Sequence, residues 1–175
     1  MKKLIALTLL LCAVPSFVHG DKADDLSLQV KITRGERSKD SYAATTTLTL
    51  SGKTLVYRAT SGRRLGGRAT APREFKLTDN DRRKIVELIR GRNLLRTETI
   101  ERERPQGESG IYFYFDLSIE AALNQSKGFV RIKGSRKASD LKQEKLYTDA
   151  VALIEELYAI IHRTDEAIVY EPLIH

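Results

Sequence analysis

Apolar and polar side chains alternate along residues 110–120, GIYFYFDLSIE. Ile111, Phe113, Phe115, Leu117 and Ile119 fall on one face, and Tyr112, Tyr114, Asp116, Ser118 and Glu120 on the other. A period of two over this length predicts a half-buried β-strand. Large apolar groups, each worth about 1.5–3 kcal/mol when buried, demand a covering layer. The strand is therefore expected at the centre of an antiparallel sheet with helices on one side.

The flanking patterns extend this picture. Residues 26–33 set Leu26, Leu28, Val30 and Ile32 against Ser27, Gln29, Lys31 and Thr33, which predicts a strand with one wet face. Residues 35–40 read as a polar turn. Residues 42–50 and 54–59 predict a hairpin. With Gly52 and Lys53 as its turn, Leu50 faces Leu55 and Leu48 faces Tyr57, whereas a turn at Ser51 and Gly52 would set Leu50 against Lys53. The first register is expected. Residues 60–72, rich in glycine and arginine, read as a long loop.

Phe75 and Leu77 lead into a helix that Thr78 caps, with Asp81 placed to close a capping box, Ile85, Val86, Leu88 and Ile89 as its apolar face and Gly91 as its stop. Residues 94–100 read as a short strand and 101–109 as a charged loop. Beyond the central strand, residues 121–127 turn the chain and 129–133 return it, with Val130 and Ile132 on one face. Ser139 or Asp140 is expected to cap a second helix, whose Leu146, Ala150, Leu153, Leu157 and Ile161 form one stripe. Residues 164–175 carry no firm pattern, although 167–170 are a candidate edge strand before Pro172. The class is α+β: an antiparallel sheet of about six strands with two helices packed on one face, in the order βββαβββα. The halves share order but little residue identity, so duplication competes with the ordinary return of helices onto an antiparallel sheet.

The first twenty residues follow another pattern. Lys2 and Lys3, an apolar run over residues 4–14, Pro15, and Val18-His19-Gly20 match a cleavable signal peptide over residues 1–20. The run is shorter than the roughly 20 residues a membrane span needs. Leu11, directly before Cys12, argues against lipid attachment there. Cleavage leaves 175 − 20 = 155 residues, a single α+β domain over 21–175, and lowers the net charge from 30 − 23 = +7 to 28 − 23 = +5. Cys12 is the only cysteine, so the exported chain would hold neither a disulfide nor a thiolate metal site. The expected address is periplasmic or secreted, with no transmembrane segment after cleavage. There, a basic excess points to an anionic envelope polymer, lipid headgroup or acidic protein rather than nucleic acid, and serves solubility in any case.

Candidate chemistry is sparse. His162 and His175, the histidines left after cleavage, stand in no metal-ligand spacing, and Gly62, Gly66 and Gly67 fit no phosphate-loop spacing. Asp116 and Glu120 share a strand face, but four residues at ~3.3 Å separate them by roughly 13 Å, beyond the ~5–9.5 Å of paired glycosidase carboxylates. No catalytic residue, metal or cofactor is expected. Residues 53–76 carry seven basic side chains against Glu74. Within that stretch Arg63, Arg64 and Arg68, set among glycines, can fork onto carboxylates or phosphates, or simply be solvated. A second basic stretch, residues 127–142, sets Lys127, Arg131, Lys133, Arg136, Lys137 and Lys142 against Asp140. Tyr112 and Tyr114, in line with Asp116, make either an exposed aromatic patch or ordinary cross-strand packing. Thr45, Thr47 and Thr49 line a wet face, as β-branched residues do.

The helix with Ile85-Val86-Glu87-Leu88-Ile89, the following Asn93-Leu94-Leu95, the strand Tyr112-Phe113-Tyr114-Phe115-Asp116-Leu117, its return strand, and the closing helix with Leu153 and Leu157 form a recognisable arrangement. Over about half of the chain it resembles emfourin-type domains, small bacterial inhibitors of thermolysin-like metalloproteases. The resemblance implies a protease inhibitor. It is one of arrangement, carries over no inhibitory loop residue, and leaves out the N-terminal hairpin region and the exported address. The function expected is an exported non-enzymatic binding module, whether a protease inhibitor or a binder of an anionic envelope component. The alternatives are a hydrolase with a loop-built site and a passive envelope structural protein.

Overall fold

The computed structural model describes residues 24–37, 42–63, 68–102, 112–135 and 138–174. The expected signal peptide with Cys12, and also Arg64, Ile111, Arg136, Lys137 and His175, lie outside the described residues. The described chain forms β1 (Leu26–Arg37), β2 (Tyr42–Ser51), β3 (Thr54–Arg63), β4 (Arg68–Ala69), β5 (Arg73–Lys76), α1 (Asp79–Gly91), β6 (Thr97–Glu101), β7 (Tyr112–Leu123), β8 (Ser126–Ser135) and α2 (Lys145–His162). These strands make one eight-stranded sheet in the order β4-β3-β2-β1-β7-β8-β6, with β5 also on β3. All pairings are antiparallel except β6 with β8.

Alternation decides what each face does. Leu26, Leu28, Val30 and Ile32 of β1, Leu48 and Leu50 of β2, Phe115, Leu117 and Ile119 of β7, and Val130 and Ile132 of β8 are buried in one core with Ile85, Val86 and Ile89 of α1. The expected stripe of α2, Leu146, Ala150, Leu153, Leu157 and Ile161, is buried in the same core. Both helices thus cover one face of the sheet. The other face, with Ser27, Gln29 and Lys31 exposed, is open to solvent. Phe113 shares the covered side with Phe115, yet it is 44% exposed, contrary to its expected burial.

The first hairpin has the expected register: Leu50 faces Leu55 and Leu48 faces Tyr57 across the turn at Gly52, whose φ of 59° suits a residue without a Cβ. Other boundaries move. β1 runs on to Arg37 through the expected turn, because β2 and β7 pair with it on both sides. The expected long loop over residues 60–72 is instead strand through Arg63, with Arg68 and Ala69 pairing back onto Ser61 and Thr60. Phe75 lies in β5 rather than in a helix lead-in, buried opposite Leu55. The turn expected over residues 121–127 narrows to Asn124 and Gln125, since Ala121 and Leu123 still point into the core.

The helix ends differ as well. Thr78 and Asp81 form the expected capping box. Gly91, the expected stop, is the last helical residue, while Asn93 takes the left-handed φ of 53°. The amides of Asn93 and Leu94 then reach back to the carbonyls of Arg90 (3.1 Å) and Ile89 (2.9 Å), closing a Schellman motif. Ser139 and Asp140 do not cap α2. They open a 3-10 turn, Ser139–Gln143, anchored by buried Leu141, and Glu144 at the N-cap position makes no side-chain capping bond. Residues 167–170 form no strand, but Ile168, Leu173 and Ile174 are buried in the core.

Candidate functional site

Strands β2, β1, β7 and β8 bring their polar residues onto the uncovered face in register. One row sets Thr45, Thr33, Asp116 and Lys133 side by side, with Glu101 of β6 at its end. The next sets Thr47, Lys31, Ser118 and Arg131 side by side. A third sets Thr49, Gln29, Glu120 and Phe129 side by side, followed by Thr97.

Part of this face is closed on itself. Arg131 grips Asp116 through two hydrogen bonds, of 3.0 Å and 2.7 Å, and that bond to Asp116 holds the guanidinium even more firmly protonated than usual. Lys133 reaches Glu101 at 3.4 Å, and the hydroxyls of Thr33 and Thr45 lie 3.1 Å apart. Tyr114 lies across Gly35, its cross-strand neighbour: a Cβ on that glycine would come within 2.5 Å of the ring. The tyrosine fills the space the glycine leaves, as an aromatic does over a bare strand position.

The far end of the face is different. A groove of about 640 Å³ is lined by Ser27 and Gln29 of β1, Thr49 and Ser51 of β2, Glu120 of β7, Lys127 and Phe129 of β8, and Thr97 of β6, over the backbone between them. Among the described residues, the side chains of Gln29, Thr49, Glu120 and Lys127 make no hydrogen bond or ion pair. Their donors and acceptors are free for a ligand. Phe129 lies half-buried between Glu120 and Thr97, the aromatic member of a lining that also includes Leu28, Leu50, Ala121 and Ala122.

The residues singled out from sequence are not brought into one site. Arg63 sits opposite Tyr42 near the end of β3 and Tyr112 opposite Arg37 at the start of β7, and the side chains of both lie outside the described residues, as does all of Arg64. Arg68 is exposed on the two-residue edge strand β4. The arginine edge on β3 and the strand carrying Tyr114 and Asp116 are separated by β2 and β1, roughly 14 Å across the sheet. Sequence reasoning missed Gln29 and Phe129 as site residues, and weighed Lys127 only within the second basic stretch and Glu120 only as half of a carboxylate pair. The register of β1 with β7 joins residues about ninety apart in the chain, and local patterning does not encode it.

The other buried charges serve the fold. Asp149 on α2 is fully buried beside Lys145 (2.6 Å) and Arg92 (3.2 Å), tying the helix to the turn after α1. Among the described residues no group of His, Cys, Asp and Glu converges as a metal site, and no helix is long and apolar enough to cross a membrane. His162, exposed at the end of α2, has no hydrogen-bond or ion-pair partner among them. No protein-family model matches the chain, and no curated protein matches it.

Proposed function

We propose that the protein is an exported, non-enzymatic module that binds a macromolecule on the uncovered face of its sheet. The observation that carries this reading is the division of that face: one part is closed by its own ion pairs, while Gln29, Thr49, Glu120 and Lys127 stand unspent around a groove. Sites built on strands hold their side chains in fixed geometry, and this one is supported by the paired backbones of five strands. The carboxylates with buried or bidentate settings, Asp81, Asp116 and Asp149, are each engaged by arginine, a structural rather than a catalytic arrangement. Export rests on the pattern of residues 1–20.

Two measurements on purified residues 21–175 test the reading. The parent protein is expected to retain a component of an envelope or secreted extract that a Gln29→Ala/Glu120→Ala variant does not. It is also expected to turn over none of a panel of ester, phosphoester, peptide and glycoside substrates. Turnover abolished by a single Asp116 or Glu120 substitution would overturn the proposal in favour of a hydrolase.

A further inference from the structure

The chemistry of the groove narrows its ligand, and the identity of that ligand rests on the proposed binding function of the same face. The groove crosses β2, β1, β7, β8 and β6, four inter-strand steps, or roughly 19 Å at ~4.8 Å each. Its lining offers hydroxyls from Ser27, Thr49, Ser51 and Thr97, an amide from Gln29, one carboxylate from Glu120 and one ammonium from Lys127. These charges balance. Phe129 adds one flat apolar surface on the floor, flanked by Glu120 on β7 and Thr97 on β6.

Each common class of macromolecule asks something specific of a site. A nucleic acid or other polyanion needs a surplus of cations, and this lining has one cation against one anion. A lipid surface needs an apolar or polybasic patch. An extended peptide adds to a sheet by pairing along a free strand edge; β1, β2 and β7 are paired on both sides beneath the groove, and a peptide added at the edge strand β6 would run along the strands and not across the groove. A sugar ring presents many hydroxyls, each donor and acceptor at once, and an apolar C–H face that lies against an aromatic ring. The lining offers the counterpart of both features.

We infer that the groove lined by Gln29, Thr49, Glu120, Lys127 and Phe129 binds an uncharged glycan chain laid across the strands. The amide, carboxylate and ammonium take adjacent hydroxyls in pairs, and Phe129 stacks beneath one ring. The closed half of the face, with Asp116 held by Arg131, sets the rigid end against which the chain lies.

The test is titration calorimetry and affinity electrophoresis of residues 21–175 with hydroxyethylcellulose, laminarin and chitohexaose as uncharged glycans, and with alginate and double-stranded DNA as polyanions. At least one uncharged glycan is expected to bind. That binding should persist at roughly 0.5 M salt, since screening weakens only charge attraction. It should fall by about tenfold or more, near 1.4 kcal/mol or above, in both Phe129→Ala and Gln29→Ala. Arg68→Ser, on the distant edge strand, should bind as the parent does. Thermal melts accompany each variant, and Gln29, being exposed, keeps the test valid if Phe129→Ala folds poorly. The inference is overturned if none of the three glycans binds, if only the polyanions bind and salt abolishes it, or if Gln29→Ala binds as tightly as the parent. Groove-dependent capture of a protein from the extract, with no glycan bound, would also overturn it while leaving the binding reading intact. Turnover of a substrate would remove both.

Discussion

Asp81 joins the two helices through one carboxylate. It accepts from the amide (2.9 Å) and hydroxyl (2.8 Å) of Thr78 at the start of α1, and from Arg163 (2.8 Å) just past the end of α2. Burial pushes its pKa up, but the bonds from Arg163 and Thr78 outweigh burial and leave it below the ordinary 3.8. A carboxylate with a depressed folded pKa stabilises fully above its unfolded pKa, and loses that contribution as pH falls through the folded value. Asp81→Asn is therefore expected to cost about 1–2 kcal/mol at neutral pH. Urea melts should show the deficit shrinking as pH falls from 3.8 through the lower folded value, where the parent carboxylate takes up its proton; a deficit independent of pH would assign the effect to shape instead. Tyr170 presents the opposite case. Its ring packs against Tyr158 at 5.2 Å, while its hydroxyl is buried with no hydrogen-bond partner among the described residues. Burial, more than the neighbouring Tyr147, drives its pKa far above the usual tyrosine range. Tyr170→Phe keeps the ring and removes the stranded hydroxyl, so it should be neutral or stabilising by up to about 1 kcal/mol. A loss above that would show the hydroxyl to be bonded.

At the scale of elements, what was legible in the sequence was whatever local chemistry decides. Thr78 and Asp81 announced the start of α1, the two-residue turn fixed the β2–β3 register, and the α2 stripe marked its buried face. Errors gathered where distant pairing overrode local composition. Gly62 read as loop, yet it is strand because it lies opposite Ala43, and Gly35 continues β1 under the ring of Tyr114. The end of α1 turns on a subtler competition: Gly91 is the obvious stop, but the left-handed position falls at Asn93, where the closing bonds from Asn93 and Leu94 place it. Left-handed backbone costs a side-chain-bearing residue about 1–2 kcal/mol, less for asparagine than for most. Asn93→Gly should therefore hold or raise stability by up to about 1 kcal/mol, and Asn93→Val should lower it by about 1–2 kcal/mol. Reversal of that order in thermal melts would place the chain reversal elsewhere.

Across the whole molecule, the expected repeat of βββα does not hold: five strands, β1 to β5, precede α1, and three, β6 to β8, precede α2. In the first half β1, β2 and β3 are joined as successive antiparallel neighbours, whereas in the second β6 skips β7 and lies parallel to β8 on the sheet's outer edge. Equivalent halves would also place β6 beside β7, so what the two halves share is a helix that returns to the same face of the sheet. The union of β1 with β7 at the centre also builds the groove, which is why a list of local motifs could not find it: Gln29 and Glu120 are neighbours only once both halves share a sheet. The same interdependence governs the C-terminal segment, which lacks regular structure yet closes the covered layer. Leu173 and Ile174 are buried in the core, Arg34 of β1 donates to the Glu171 carbonyl, and Arg73 of β5 pairs with Asp165. The segment therefore links the sheet to α2 and belongs to the cooperative fold. Leu173→Ala should cost about 2–5 kcal/mol, because the cavity it leaves is walled by the sheet and helix layers and cannot collapse freely. Val169→Ser, at a position 70% exposed in the same segment, should stay within about 0.5 kcal/mol of the parent. Urea unfolding of both variants, followed by tyrosine fluorescence and far-ultraviolet circular dichroism, should give coincident transitions. If Leu173→Ala melted like Val169→Ser, the segment would be an appendage and the core would close without it.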